Sequence, residues 1–392
     1  MRCVLRLDLL TEMIKPTAPG EFELPTVGPN DPVQIQYTSG TTGFPKGAVL
    51  RHSGIVNNAR LWAHRVAIPD GASWLLANPL FHTGGSVMGV LGSLDRRAKL
   101  VLMPAFDPGR FLELIEQEKV WFAAGVPTML IAAMEHPEAS RRDLSSWKAT
   151  MSGGTQVPEA LVQRIEDALG LDFMITYGQT ECTVLTSTSP SDSTRDKSLT
   201  VGQPLAHTEL RLVDPVSLNT VSLGAPGELW ARGYFTMLGY FDDPQSTNET
   251  LRDGEWVRTG DIATMDQRGY LSIVGRLKDM IIRGGENLFP SEIEDVLYHH
   301  PAVAEVAVVG LPDDYWGETV GAFIRSTDAN SQPTINELRS YIRAHLSPQK
   351  TPTRWYGVTG FPLNGSGKIQ KFIIRGAWEN GEYDGSELPN DL

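Results

Sequence analysis

Residues 37–52, YTSGTTGFPKGAVLRH, have the types and spacing that suit chemistry on a polyphosphate. Gly40, Gly43 and Gly47 permit positive φ and close backbone approach, while Thr38, Ser39, Thr41 and Thr42 add hydroxyl donors to the loop amides. Lys46 supplies a positive charge. A Walker loop needs that lysine to be followed by Ser or Thr to hold magnesium, and Gly47 follows Lys46, so that reading fails. A glycine-rich surface turn would have a similar composition. Whether further motifs follow in order separates the two.

The elements that must position such a loop are legible as periodicity. Between about residues 33 and 178, apolar strand candidates alternate with helical patterns, which predicts an α/β layer with a largely buried sheet and parallel crossovers. The strands are expected at Val33–Tyr37, Trp74–Ala77, Lys99–Met103, Val120–Ala124 and Phe173–Thr176, with helices at Pro108–Lys119 and Pro158–Leu169 and from about Ser53 after the loop. From about 199 to 275 short β-prone runs, among them GELWARG and the hairpin-like MDQRGYLSIVG, predict a β-rich subdomain. After Arg276 a compact α+β unit follows, with helices at Ser291–His300 and Ile335–Leu346 and strands at Val303–Val309 and Val320–Ile324. The closing ENGEYDGSELPNDL is acidic and turn-rich and reads as frayed.

At 392 residues the chain exceeds what one core usually serves, so two or more domains are expected. No apolar run is long enough for a bilayer, and Arg6, Asp8 and Glu12 interrupt the opening segment, unlike a secretory signal. Two cysteines, Cys3 and Cys182, are too few for a disulfide framework and point to a reducing cytoplasm. A net charge of -13 would repel a nucleic-acid backbone, so anionic substrates must be met by local groups.

The loop resembles the phosphate-binding signature of the adenylate-forming superfamily, and further segments resembling that superfamily's motifs follow in order as far as Lys371. PLFHTGG, residues 79–85, resembles the segment that sets an aromatic or histidine residue beside the substrate carboxylate, a place that falls to His82. SGG at 152–154 and TYGQTEC at 176–182 resemble the nucleotide pocket. The resemblance implies that Gly153 and Gly154 line it, Tyr177 stacks on adenine, Thr180 bonds the α-phosphate and Glu181 holds magnesium. WVRTGDIA at 256–263 puts Asp261 where a carboxylate accepts from both ribose hydroxyls, with Arg276 on the same ribose. In GRLKDMIIRGGENLFPSEIE, residues 275–294, Lys278 falls on the hinge position, and Gly284, Gly285 and Glu286 on the passage for the pantetheine arm of CoA, although the two glycines would also suit a plain turn. PLNGSGKIQKFIIR at 362–375 resembles the C-terminal catalytic loop and makes Lys368 the lysine that stabilises charge in adenylation. GVPTML, 125–130, has the character of an acyl-pocket lining, with Val126, Gly153 and His82 facing a hydrophobic acid, and equally of a core helix start.

The resemblance implies an α/β multidomain fold. A large AMP-binding domain would span 1–277, including the β-rich subdomain 199–275, and a small mobile C-terminal α+β domain would span 278–392. It implies an AMP-forming acyl-CoA synthetase that uses ATP, Mg2+ and CoA. Such an enzyme makes an acyl adenylate with release of pyrophosphate, then rotates the tail domain to admit the thiol. The partners implied are a small carboxylic acid and CoA; a homodimer is one of the assemblies left open. Superfamily members carry a substantial subdomain ahead of the phosphate loop, which here begins at residue 38; its absence would leave apolar surface uncovered. Two alternatives are an acyl-AMP ligase that loads a carrier protein and a non-catalytic AMP-binding relative.

Overall fold

The computed structural model describes residues 26–38, 45–153, 159–328, 331–363 and 369–390, without the side chains of 159–161. The described strands form four sheets. The largest has seven strands in the order Lys99–Leu102, Ser73–Leu76, Phe122–Ala124, Ala149–Gly153, Asp172–Gln179, Thr183–Ser187, Gln203–Pro204. The first five run parallel, Thr183–Ser187 runs antiparallel to them, and Gln203–Pro204 pairs antiparallel with Thr183–Ser187. The predicted crossovers are present: Pro108–Gln117 and Glu159–Leu169 are helices, and Pro127–Glu135 is a third. Asp107 caps the first by accepting from the Arg110 amide, and Pro108 occupies the first turn, where its missing N–H costs nothing.

Both faces of the sheet are covered, which explains the nearly continuous apolar strand sequences. One face packs Phe111, Ile115, Trp147, Ile165 and Phe173. On the other, the helix His52–Arg65 lays Trp62 against Trp74 and Phe122, with ring centroids 5.7 and 5.9 Å away. Asn58 on this helix is fully buried; its side chain donates to the Val184 carbonyl at 2.7 Å and accepts from the Val184 amide at 3.0 Å. The helix is thereby fastened to the antiparallel strand Thr183–Ser187.

Two expectations need correction. The strand Pro32–Tyr37 does not join the parallel layer. It pairs antiparallel with Gly47–Arg51, itself paired with Gly239–Tyr240, in a separate three-stranded sheet. Val33, Ile35 and Tyr37 are 40–58% exposed, so apolarity alone misassigned the strand to a buried layer. The two strands that flank the glycine-rich segment are therefore the arms of a hairpin, and Gly47–Arg51 stands between that segment and the helix His52–Arg65. The closing segment is also not frayed as far as residue 390. Leu388 is buried in the C-terminal core, its amide donates to the Trp355 carbonyl, and Pro389 accepts from the Ile335 amide. Two apolar anchors, Leu388 and Tyr383, the latter with its ring centre 4.7 Å from that of Phe323, outweigh the polar composition around them.

The β-rich region is a five-stranded antiparallel sheet, and Gly227–Gly233 (GELWARG) and the hairpin Trp256–Met265/Leu271–Arg276 belong to it. The last sheet combines Ile281–Arg283, Glu286–Leu288, Val303–Asp313, Gly317–Ser326 and Arg354–Gly357 with the helices Pro290–Tyr298 and Ile335–His345. Ile335, Leu338 and Ile342 form the buried stripe of the second helix. Among the described residues no helix is long and apolar enough to cross a membrane.

Candidate active site

Strand order locates the site. From Ser73–Leu76 the chain crosses to Lys99–Leu102 on one side, then returns to Phe122–Ala124 on the other and continues away. The crevice where the direction switches, at the carboxyl ends of the parallel strands, is where open α/β sheets bind ligands. His82 follows the first strand, Val126 the third, Gly153 ends the fourth and Thr180–Glu181 close the turn after Asp172–Gln179. His82 is exposed, and its Nδ1 accepts from the Gly84 amide at 3.0 Å. Val126 is the half-buried N-cap of the helix Pro127–Glu135, and Leu130 of that helix enters the core, so GVPTML is a helix start whose first residue also stands at the crevice.

Gly153 is required by close approach, since a Cβ there would lie 2.2 Å from the Thr176 carbonyl oxygen. Gly178 is tighter, with 1.8 Å to the Thr183 carbonyl oxygen, and the hairpin Asp172–Gln179/Thr183–Ser187 carries an irregularity there. The two glycines let the Thr180–Glu181 turn fold back closely onto the sheet.

Asp261 sits next to this turn and is only 7% exposed. Its Oδ2 accepts from the Tyr177 hydroxyl at 2.6 Å and from Gln179 Nε2 at 2.8 Å, and Gln179 also donates to the Thr259 carbonyl at 2.8 Å. Arg276 is the cross-strand partner of Asp261 in the hairpin, which brings its Nε within 3.6 Å of Oδ1. Burial first, and then the Asp261 carboxylate, push the Tyr177 phenol well above its ordinary range.

Lys46, at the end of the glycine-rich segment, reaches the same turn through a residue that sequence reading missed. Thr38 and Lys46 close the hairpin tip: the Thr38 amide donates to the Lys46 carbonyl at 2.8 Å, and the Lys46 amide donates to Thr38 Oγ1 at 3.2 Å. Lys46 Nζ lies 5.2 Å from the centre of the Tyr240 ring, and the Tyr240 hydroxyl donates to Glu181 Oε1 at 2.6 Å. Nothing local in the sequence links positions 59 residues apart. Ser39, Gly40, Thr41, Thr42, Gly43, Gly154 and Lys368 lie outside the described residues.

Lys278 lies in a short 3-10 turn, Leu277–Asp279, directly after Arg276. Desolvation by the surrounding chain, and then the Arg276 guanidinium, lower its pKa from the usual lysine value. Gly284 and Gly285 have φ of 59° and 86° and form the two-residue link between Ile281–Arg283 and Glu286–Leu288, a turn that demands glycine by itself. A Cβ on Gly284 would also meet the Trp316 ring at 2.6 Å. Glu286 is exposed beside this turn.

Residues 3–241 match the AMP-binding enzyme family, and residues 292–368 match the AMP-binding enzyme C-terminal domain. The chain belongs to the AMP-binding enzyme family. It is 41% identical over 353 residues to the mitochondrial medium-chain acyl-CoA ligase of Homo sapiens, covering 88% of this chain and 57% of that protein. The structure of ATP-bound MatB from Rhodopseudomonas palustris superposes with a TM-score of 0.84 at 28% identity, over 92% of this chain and 70% of the other. That of o-succinylbenzoate CoA synthetase from Bacillus subtilis, in complex with an acyl-adenylate intermediate, gives a TM-score of 0.83 at 29% identity over 94% and 73%. The chain spans 57–63% of the length of the first curated relatives it matches.

Proposed function

We propose that the chain activates a hydrophobic carboxylic acid with ATP, releasing pyrophosphate and forming an acyl adenylate, and then passes the acyl group to CoA. The observation that carries this reading is the convergence on one strand end. Asp261 is bound by Tyr177 and Gln179 of the strand that leads into Thr180 and Glu181, and Lys46 comes to the same turn over Tyr240.

Asp261 offers a carboxylate to the ribose diol, with Arg276 beside it. Tyr177 provides a ring for adenine, and Thr180 a hydroxyl for the α-phosphate. The loop amides and Lys46 bind the outer phosphates, with Lys368 supplying the charge that stabilises the transition state. His82, Val126 and Gly153 border the acid at the crevice.

Among the described residues no group of three His, Cys, Asp or Glu side chains converges to hold a metal. A single carboxylate, Glu181, suits Mg2+, which takes one or two carboxylates and completes its shell with phosphates and water. When bound, the ion neutralises charge on the departing pyrophosphate. Lys278 is the proposed hinge, dividing 1–277 from 278–392, and Gly284, Gly285 and Glu286 the proposed wall for CoA. The proposed location is the cytoplasm, in keeping with the two cysteines of the sequence.

The name of the human relative directs the first assays to medium-chain fatty acids. Pyrophosphate release is measured with acids from hexanoate to dodecanoate and with benzoate, each with and without CoA. Acid-dependent release, with thioester formed when CoA is added, is the expected result. Bound ATP without release for any acid would refute the catalytic reading.

A further inference from the structure

We propose that Tyr240 is a positioning residue that orients the Glu181 carboxylate toward a divalent cation and ties it to the phosphate loop; the assignment rests on the adenylating reading above. Tyr240 is 9% exposed, and its hydroxyl donates to Glu181 Oε1 at 2.6 Å. Among the described residues no other side chain hydrogen-bonds this carboxylate, which leaves Oε2 for the cation. A glutamate at the tip of a turn has several rotatable bonds to immobilise. A buried ring whose hydroxyl binds one oxygen removes much of that freedom before the ion arrives.

The backbone around Tyr240 reinforces the link. The Met237 amide donates to the Glu181 carbonyl at 3.0 Å, the Leu238 amide to the Val49 carbonyl at 2.8 Å, and the Phe241 amide to the Gly47 carbonyl at 2.7 Å. Residues 237–241 are thus pinned at one end to the glutamate turn and at the other to the strand leaving the phosphate loop. The Tyr240 amide donates to Thr247 Oγ1 at 2.8 Å, and a Cβ on Gly239 would approach the Thr247 methyl to 2.9 Å, so the segment has little room to shift. Lys46, with its ammonium over the Tyr240 ring, couples the loop's own charge to the same side chain.

The test measures binding rather than turnover. Mn2+ serves as the probe, followed by electron paramagnetic resonance with α,β-methylene-ATP present, and metal-free affinity for the same analogue is measured by calorimetry. Tyr240→Phe is expected to weaken Mn2+ about tenfold, the effect of one hydrogen bond to a charged group, and to leave metal-free nucleotide affinity within about twofold. In a Glu181→Gln background the same substitution should have no further effect on Mn2+, because Tyr240 acts through Glu181. An unchanged Mn2+ affinity in Tyr240→Phe, an equal fall in metal-free affinity, or additive effects in the double variant would overturn the assignment of Tyr240 alone. A wild-type chain that binds no analogue would overturn the adenylating reading with it.

Discussion

The Tyr177 hydroxyl donates to Asp261 Oδ2 at 2.6 Å, so one oxygen of the carboxylate proposed for ribose is already engaged by the residue proposed for adenine. Gln179 holds the same oxygen, while Oδ1 faces Arg276. The carboxylate is therefore oriented before a nucleotide arrives, and hydrogen bonds to a charged acceptor are the stronger kind.

Replacement of Asp261 by Ala is expected to weaken AMP about 10²-fold, the loss of two hydrogen bonds to a charged group. Isothermal calorimetry with AMP checks this. Affinity equal to that of the wild type would show that the ribose lies elsewhere.

The alkaline limb of stability should carry the buried phenols. Burial and Asp261 push Tyr177 well above 10, and burial pushes Tyr234 up to about 12. A raised folded pKa means that the folded chain holds more protons than the unfolded one between the two values, so stability falls with rising pH there. This contribution is fully present below about pH 10, the unfolded value. Urea denaturation at pH 8.5, 9.5 and 10.5 should show a decline that is shallower in Tyr234→Phe; parallel curves for the two proteins would contradict it.

Asn58 bonds both the amide and the carbonyl of Val184 inside the core, and Asn58→Ala removes both hydrogen bonds. The expected cost is about 2–4 kcal/mol. Equilibrium urea unfolding measures it, and a change below about 0.5 kcal/mol, the level typical of a neutral surface substitution, would mean that the helix His52–Arg65 is not fastened there.

Two lysines should separate the half-reactions. Lys368→Ala is expected to slow adenylation by about 10²- to 10³-fold while thiolysis of supplied acyl adenylate survives. Lys278→Pro should spare adenylation and impair thioester formation, because proline restricts φ at the proposed hinge. Quenched-flow measurement of each half-reaction distinguishes them, and equal loss of both steps in either variant would count against its role.

The alternation of apolar runs and helical stripes was enough to place four of the five parallel strands, two of the flanking helices and the hairpin that sets Arg276 opposite Asp261, because these depend on local periodicity and turn chemistry; the central strand Ala149–Gly153, ending in small residues, was not among them. The glycines at 153, 178 and 284 were visible as residues, but their reasons were not. That a Cβ on Gly153 would lie 2.2 Å from the Thr176 carbonyl oxygen, or one on Gly284 2.6 Å from the Trp316 ring, is decided only after strands and loops have met.

The sequence by itself determined the order of the motifs, the residue types available for phosphate, ribose and cation, and the membership of most strands in an α/β layer. Only the tertiary structure decided that Pro32–Tyr37 leaves that layer for a hairpin, that Leu388 anchors the acidic tail, and that Tyr240 stands between Lys46 and Glu181. The reason is physical: periodicity reports which side of an element is apolar, whereas the partner it finds depends on chain segments tens to hundreds of residues away.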